Sequence, residues 1–264
     1  TGLSALLWVL VQCPKASAAA GGASPTRRRL GKLARMNAQR VVVAGGGAAG
    51  FFAAIACAEA APGAEVAIFE KSARFLAKVR VSGGGRCNVT HACFDPLELS
   101  GHYPRGAQAL IGAFHRFQPS DTVAWFESRG VPLKREADGR MFPITDSSQT
   151  VMDALFNAAR AAGVQLRSNR GVERAAKLAG TEFELTIADG ETVRCGRLLL
   201  ATGGCRVPAM GQLAVSLGHA IESPVPSLFT FLVAAPWLRD LPGLSVDPVE
   251  ASVPGTRLRS RGSL

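Results

Sequence analysis

The chain has 264 residues, 47% of them hydrophobic and 19% charged, with 29 glycines; this is enough to bury a sizeable core as one large or two small domains, and it excludes a disulfide-stapled miniprotein. The formal charge is +10, but residues 1–40 hold seven Lys/Arg and no acid, and Arg257, Arg259 and Arg261 close the chain, leaving twenty basic and twenty acidic residues between 41 and 256. A nucleic-acid footprint needs a basic face on the folded part, and here the surplus lies in the tails, so nucleic-acid binding is not expected.

The segment before Met36 stands apart. The apolar run Ser4 to Val11 is too short to span a bilayer, which takes about twenty residues, and no later segment does better; no transmembrane helix is expected. Three readings of residues 1–35 stay open: a secretory signal, an organelle transit peptide, or translated sequence upstream of a natural start at Met36. The expected location is accordingly cytoplasmic, or organellar if the segment is a transit peptide.

Arg40 to Ala44 is a β-branched run stopped by glycines, as fits a strand buried on both faces of a parallel sheet. Ala48 to Ala61 is alanine-rich and reads as a helix ended by Pro62-Gly63, and Glu65 to Glu70 as the next strand, completing a βαβ unit. Lys71 to Tyr103 reads as a long loop, a kind that is usually functional. Helices are expected over Ala107 to Phe117, from a Ser120 cap to Ser128, and over Ser148 to Ala162. A hairpin is expected over Leu133 to Phe142, turning at Asp138-Gly139, and Val164 to Arg167 resumes a strand pattern. Gly171 to Leu178, Glu182 to Ala188 and Thr192 to Leu200 read as a β-meander, and Leu198 to Ala201 as a returning buried strand. After a short helix near Gly218 the chain is proline-rich, and no packed domain is expected there. The expected fold class is α/β, with a parallel central sheet and an inserted β-meander. Its expected parts are a leader over residues 1–38, the main domain over 39–222, and a poorly ordered segment over 223–264.

Gly45-Gly46-Gly47-Ala48-Ala49-Gly50 satisfies G-x-G-x-x-G. The spelling alone is weak, but these glycines follow a strand, open a helix and precede Glu70 by the twenty residues a dinucleotide fingerprint requires. Gly45 would permit the tight turn, Gly47 the approach of a pyrophosphate, and Gly50 the close packing of helix on sheet. Free N–H groups of the first helical turn would face phosphates, and Glu70 would accept ribose hydroxyls in charge-assisted bonds worth about 1.5–3 kcal/mol each. In Lys78 to Thr90, Ser82 and three glycines could present successive N–H groups beside the Arg86 cation; a solvated flexible loop is the other reading. The six cysteines have no C-x-x-C pair and fit a reducing compartment. Cys87, His91 and Cys93 lack the four paired ligands of a structural zinc site, so no metal is expected. Cys87 is expected to pack rather than react, and His91 and His102 to be polar surface.

The strings VVVAGGGAAGFFAAIACAEAAPGAEVAIFEK, KVRVSGGGRCNVT, GRMFPITDSSQTVMDAL, LLLATGGCRVPAMG and SLGHAIESPVPSL, in this order, resemble the successive signatures of the BaiN-like NAD(P)/FAD-dependent oxidoreductases. This family is also labelled the aminoacetone oxidase family and belongs to the glutathione-reductase-like flavoproteins. The likeness runs from about Arg40 to about Leu228, and S-G-G-G-R-C-N is its specific part. It implies a Rossmann-type FAD/NAD(P)-binding domain over 39–222, with 223–264 as the start of a truncated insert domain, and bound FAD, with Gly45, Gly47, Ala49 and Gly50 at the pyrophosphate and Glu70 and Lys71 at the adenosine ribose. It implies Val172 at the adenine, Ala201, Thr202 and Gly203 along the cofactor, and Lys78, Ser82, Gly84, Arg86, Cys87 and Asn88 toward the flavin. Gly139, Arg140 and Pro143 match a motif expected to shape the substrate side. The family's G-S-T-G-D-G stretch is missing between Pro208 and the Ser216 to His219 helix end, and the family continues beyond this chain. The implied activity is hydride transfer between NAD(P)H or an organic small-molecule substrate and flavin, with Arg86 as a candidate stabiliser of developing negative charge and no catalytic acid or base named. An NAD-binding protein without flavin and a noncatalytic fragment of a flavoprotein are the alternatives.

Overall fold

The computed structural model describes residues 40–204, 211–223, 225, 234–236, 246 and 248–262. The leader with Met36, Cys13, Cys205, Pro208, Pro224, Pro226 and Pro242 lie outside the described residues. The chain divides into two units, Thr1–Glu222 and Ser223–Leu264.

In the first unit, β1 (Arg40–Ala44), α1 (Ala48–Ala60) and β2 (Glu65–Phe69) form the expected βαβ unit. Short β6 (Gln165–Arg167) and β10 (Arg197–Leu200) complete a parallel sheet in the order β10-β1-β2-β6. The register sets Ala44 opposite both Leu200 and Phe69, so the carboxyl ends of three strands finish level. Because strand side chains alternate, the sheet sorts its apolar residues into two cores. Val43, Val66 and Ile68 face α1 and α6 (Ser148–Ala161), meeting Phe51, Ile55, Met152 and Leu155. Val42, Ala44, Ala67 and Phe69 face the meander of β7 (Val172–Lys177), β8 (Phe183–Ile187) and β9 (Thr192–Cys195), meeting Leu185, Ile187 and Cys195. The continuous apolar runs of β1 and β2 follow from this double coverage, and each fully buried large side chain contributes about 1.5–3 kcal/mol.

Several local expectations are corrected. The run from Thr192 to Leu200 is not one strand: β9 pairs with β8 in the antiparallel meander and β10 pairs with β1, the chain passing between sheets at Gly196. The stretch from Lys71 to Tyr103 is not a plain loop. It contains α2 (Ala77–Val81), a 3-10 turn over Ser82–Gly85, β3 (Thr90–His91) and α3 (Pro96–Gly101). The helix α4 (Ala107–Phe114) ends before Phe117, which packs at 5.1 Å against Phe52 of α1 instead. Ser120 lies inside α5 (Pro119–Glu127), because Pro119 takes the first helical position, where its missing N–H costs nothing; the cap falls on Gln118, whose N–H donates to Asp121 at 2.7 Å. The hairpin of β4 (Leu133–Arg135) and β5 (Arg140–Pro143) is present and takes β3 as a third strand, in the order β3-β5-β4.

The Asp95 carboxylate accepts the N–H groups of both Leu97 and Glu98 at the start of α3. Asp95→Ala is expected to lower stability by about 1 kcal/mol, read as a fall in the urea midpoint at unchanged slope. The unit ends with α7 (Gln212–Ser216), tied to β7 by the Ser216 hydroxyl donating to the Ala175 carbonyl at 3.2 Å.

In the second unit, β11 (Val249–Ser252) and β12 (Arg259–Gly262) form an antiparallel hairpin with an Arg259–Glu250 ion pair at 3.1 Å. Among the described residues no helix is long and apolar enough to cross a membrane.

Candidate dinucleotide site

The three glycines of the turn after β1 meet different demands. Gly45 has φ +115°, and a β-carbon there would lie 2.3 Å from the Ala201 carbonyl oxygen, so only glycine fits between β1 and the end of β10. Gly50 is tighter: its β-carbon would lie 1.9 Å from the Gly45 carbonyl oxygen. At Gly47 a β-carbon would meet nothing within 4 Å, which leaves open space in front of the helix.

Gly47 is the N-cap of the thirteen-residue α1, with no side-chain cap and no acid in the first turn. The Phe51 N–H is the first to bond back, to the Gly47 carbonyl at 3.0 Å. Ahead of it, the N–H groups of Ala48, Ala49 and Gly50 have no protein acceptor among the described residues. Unsatisfied donors at the positive end of a helix dipole, with space before them, make this turn a candidate anion site.

Glu70, just beyond β2, sits against this turn. Its Oε2 accepts the Gly46 N–H at 2.8 Å, and its Oε1 accepts the Ser72 N–H and hydroxyl, both at 2.8 Å. Burial pushes the carboxyl up, but these donors and the neighbouring Lys71 charge more than reverse that, holding its pKa below the usual glutamate value. The carboxylate has about four lone-pair positions and retains accepting capacity. Lys71 is exposed, and its β-carbon lies beneath Gly171, where added bulk would approach to 2.6 Å. This contact brings the start of β7, with half-buried Val172, alongside Glu70.

On the other side of the turn, Ala201 donates its N–H to Ala44 at 2.8 Å, and Thr202 and Gly203 follow, exposed. A β-carbon on Gly203 (φ +88°) would lie 3.1 Å from Lys78 Nζ, so the ammonium rests on this segment. Among the described residues no acid pairs with Lys78. The structure thus brings Gly45, Gly47, Ala49, Gly50, Glu70, Lys78, Ala201, Thr202 and Gly203 to the level strand ends, with Lys71 and Val172 at the margin.

The Ser82–Asn88 segment is folded rather than flexible. Gly83, Gly84 and Cys87 all take left-handed backbone conformations, and the Arg86 and Cys87 N–H groups are spent on the Gly83 and Ser82 carbonyls. Of the expected row of donors at Ser82 and the three glycines, the Ser82 N–H is already spent on the Lys78 and Val79 carbonyls at the end of α2. The Arg86 guanidinium stacks over Phe142 at 4.0 Å and pairs with Glu136 at 2.5 Å and Asp146 at 3.6 Å. These anions raise its pKa and commit the cation to the hairpin. Among the described residues, buried Asn88 Oδ1 has no hydrogen-bond partner and buried Ser82 Oγ has none but the neighbouring Cys87 thiol, an open polar demand of the kind a bound ligand meets.

Cys87 is 2% exposed, and burial pushes its thiol up to about 11. At pH 8, alkylation followed by peptide mass measurement is expected to modify half-buried Cys57 well before Cys87 or Cys195. Gly139 and Arg140 lie on the β4–β5 hairpin, where Arg140 pairs with Asp138 at 2.6 Å, and Pro143 is fully buried. Phe75, Glu136, Phe142 and Asp146 were not anticipated. Phe75 closes over Gly46, whose β-carbon would lie 2.3 Å from its ring, and the other three hold Arg86.

The family model described as the HI0933-like protein Rossmann domain matches residues 39–226. The 3-dehydro-bile acid delta(4,6)-reductase of Clostridium scindens is 30% identical over 225 residues, covering 83% of this chain and 54% of the relative. The ribosomal RNA dihydrouridine synthase of Escherichia coli K12 is 29% identical over 230 residues, covering 83% of this chain and 55% of the relative. The chain thus spans about half the length of these relatives. A solved flavocytochrome c3 fumarate reductase, in its open conformation, aligns with a TM-score of 0.48 at 21% identity over 69% of this chain and 37% of that one. With the family model running from just before β1 through α7, the chain belongs to the HI0933-like Rossmann-domain family.

Proposed function

We propose that this chain is the nucleotide-binding part of an FAD-dependent oxidoreductase that takes hydride from NAD(P)H or an organic small molecule. The observation that carries this reading is the set of acceptor-free N–H groups at Ala48, Ala49 and Gly50, facing the space in front of Gly47, with the Glu70 carboxylate beside them. The residues fit a dinucleotide: the amides and helix dipole hold the pyrophosphate, and Glu70 accepts ribose hydroxyls. Ser82 Oγ and Asn88 Oδ1 offer the unmet polar groups toward the ring system. Bound flavin supplies the hydride chemistry. Lys78, which pairs with no acid among the described residues, serves better than Arg86 as a positive charge on this side, since Arg86 is shared between Glu136 and Asp146. The name of the C. scindens relative, a reductase, supports a redox role.

Purified protein should carry flavin absorbance in the near-ultraviolet and blue, and the extracted cofactor should have the mass of FAD. Folded protein that neither retains nor rebinds FAD, while binding NAD, would overturn the proposal. Anaerobic addition of NADH and NADPH in separate cuvettes identifies the donor by the rate of bleaching.

A second substrate reading, a base within ribosomal RNA, is favoured by the name of the E. coli relative. Against it stands the even balance of basic and acidic residues between 41 and 256. Turnover with ribosomal RNA but not with small molecules would decide for it.

A further inference from the structure

Away from the dinucleotide turn, a cysteine, a glutamate and a histidine converge. The Cys93 sulfur, a Glu98 carboxylate oxygen and a His102 ring nitrogen all lie within 4.8 Å of one another. The convergence has a local cause. Asp95 caps α3 through the N–H groups of Leu97 and Glu98, which turns the chain sharply after β3. Glu98 is in the first turn of the helix and His102 is its C-cap, four residues on, so the two share a face. Cys93 lies two residues before the cap and is only 4% exposed, whereas Glu98 and His102 are exposed. A buried sulfur thus forms the floor of the cluster, with two side chains free to close over it.

We propose that Cys93, Glu98 and His102 form a binding site for a zinc-class divalent cation, with a fourth coordination position open to water. A thiolate, imidazole and carboxylate set suits zinc and its borderline neighbours, and is wrong for calcium or magnesium, which take oxygen ligands. Metal bonds of about 2.3 Å to sulfur and about 2.0–2.2 Å to nitrogen and oxygen put ligand atoms about 3.5 Å apart. The cluster therefore has to contract by roughly 1 Å, within reach of rotamer changes in the two exposed side chains. The neighbouring groups do not compete: His91, with its ring 6.2 Å from that of His102, keeps Nε2 at 2.9 Å from the Asp138 carbonyl oxygen, and the Asp95 carboxylate is spent on the helix cap. Without metal, burial and the Glu98 charge hold the Cys93 thiol above its ordinary pKa. On binding, the Cys93 S–H bond is replaced by a sulfur–metal bond and the proton leaves to solvent. The bound ion would pin α3 to the end of β3, a few residues past the Ser82–Asn88 segment.

The test uses the full chain, reduced and freed of metal, then dialysed against zinc or cobalt(II). The expected result is one ion per chain by elemental mass spectrometry, with a thiolate-to-cobalt charge-transfer band in the near-ultraviolet. Cys93→Ser should abolish the band, and His102→Gln, an exposed change that leaves the core intact, should weaken zinc binding by about 100-fold or more. Cys57→Ser should leave both readouts unchanged. Substoichiometric zinc in the unaltered protein would overturn the proposal. So would wild-type affinity in His102→Gln with its circular dichroism preserved, or a band that disappears with Cys57.

Discussion

Gly50→Ala is expected to destabilise the first unit by more than about 3 kcal/mol, even though alanine is the better helix former by about 1 kcal/mol. The added carbon would sit 1.9 Å from the Gly45 carbonyl oxygen and 3.3 Å from Val43 Cγ1. The first contact is with backbone, so no rotamer relieves it. Helix α1 has to lift off the sheet, opening the core around Phe51 and Ile55. Against a total stability of about 5–15 kcal/mol this is a large fraction, visible as a lower urea midpoint. Gly47→Ala supplies the contrast: φ is −85° and nothing lies within 4 Å. Stability should change by less than about 1 kcal/mol, while dinucleotide retention falls because the methyl occupies ligand space. Equal midpoints for the Gly50 and Gly47 variants would show that helix and turn are not as closely apposed as described.

Glu70→Ala is the second large effect. It strips the buried Gly46 N–H of its acceptor, costing about 1–3 kcal/mol, and removes the proposed ribose acceptor, so FAD affinity is expected to fall by about 100-fold. Equilibrium dialysis with FAD measures the affinity and urea unfolding the stability, and Glu70→Gln, which keeps one acceptor oxygen, should be intermediate in both. The pH dependence has a defined sign. The folded carboxyl titrates below the usual glutamate value, so its stabilising contribution is complete above that value and is lost as pH falls through the depressed folded one. Acid should therefore weaken stability and flavin retention together in the unaltered protein, and this group's share of the response should be absent from Glu70→Gln, whose amide does not titrate. An identical acid profile in both would assign the sensitivity to other carboxylates.

The parts of this fold that can be read from the chain are those whose cause is local and periodic. The β-branched run at Arg40–Ala44, the alanine-rich helix after it and the spacing to Glu70 each announce themselves, because a strand buried on both faces and a helix opening on glycines leave little compositional choice. The stretch from Ala77 to Gly85 is opaque for the opposite reason: Val79 and Val81 mimic a strand, the helix starts from a left-handed Leu76, and glycines follow at once. The returning strand is legible in the apolar run Leu198–Leu200, but the single Gly196 does not mark that the chain changes sheets there, so the alternating Thr192–Cys195 stretch reads as continuous with it. At the site, the glycines and Glu70 are legible as one short motif. The pairing of Arg86 with Glu136, fifty residues away, depends on the β4–β5 hairpin folding back beneath it. The cluster of Cys93, Glu98 and His102 carries no signature in the chain, because its single sulfur lacks the paired spacing of a structural zinc site.

Ala201 and Glu70 reach the cradle from strands on opposite sides of β1, and both strands are hydrogen-bonded to it in register. Adjacent strands stand about 4.8 Å apart, so the gap between the two rims is set by peptide geometry at about 10 Å, independent of any side chain. Surface residues around the mouth can drift through evolution without detuning that ruler, which lets one nucleotide grip serve changing chemistry at its far end.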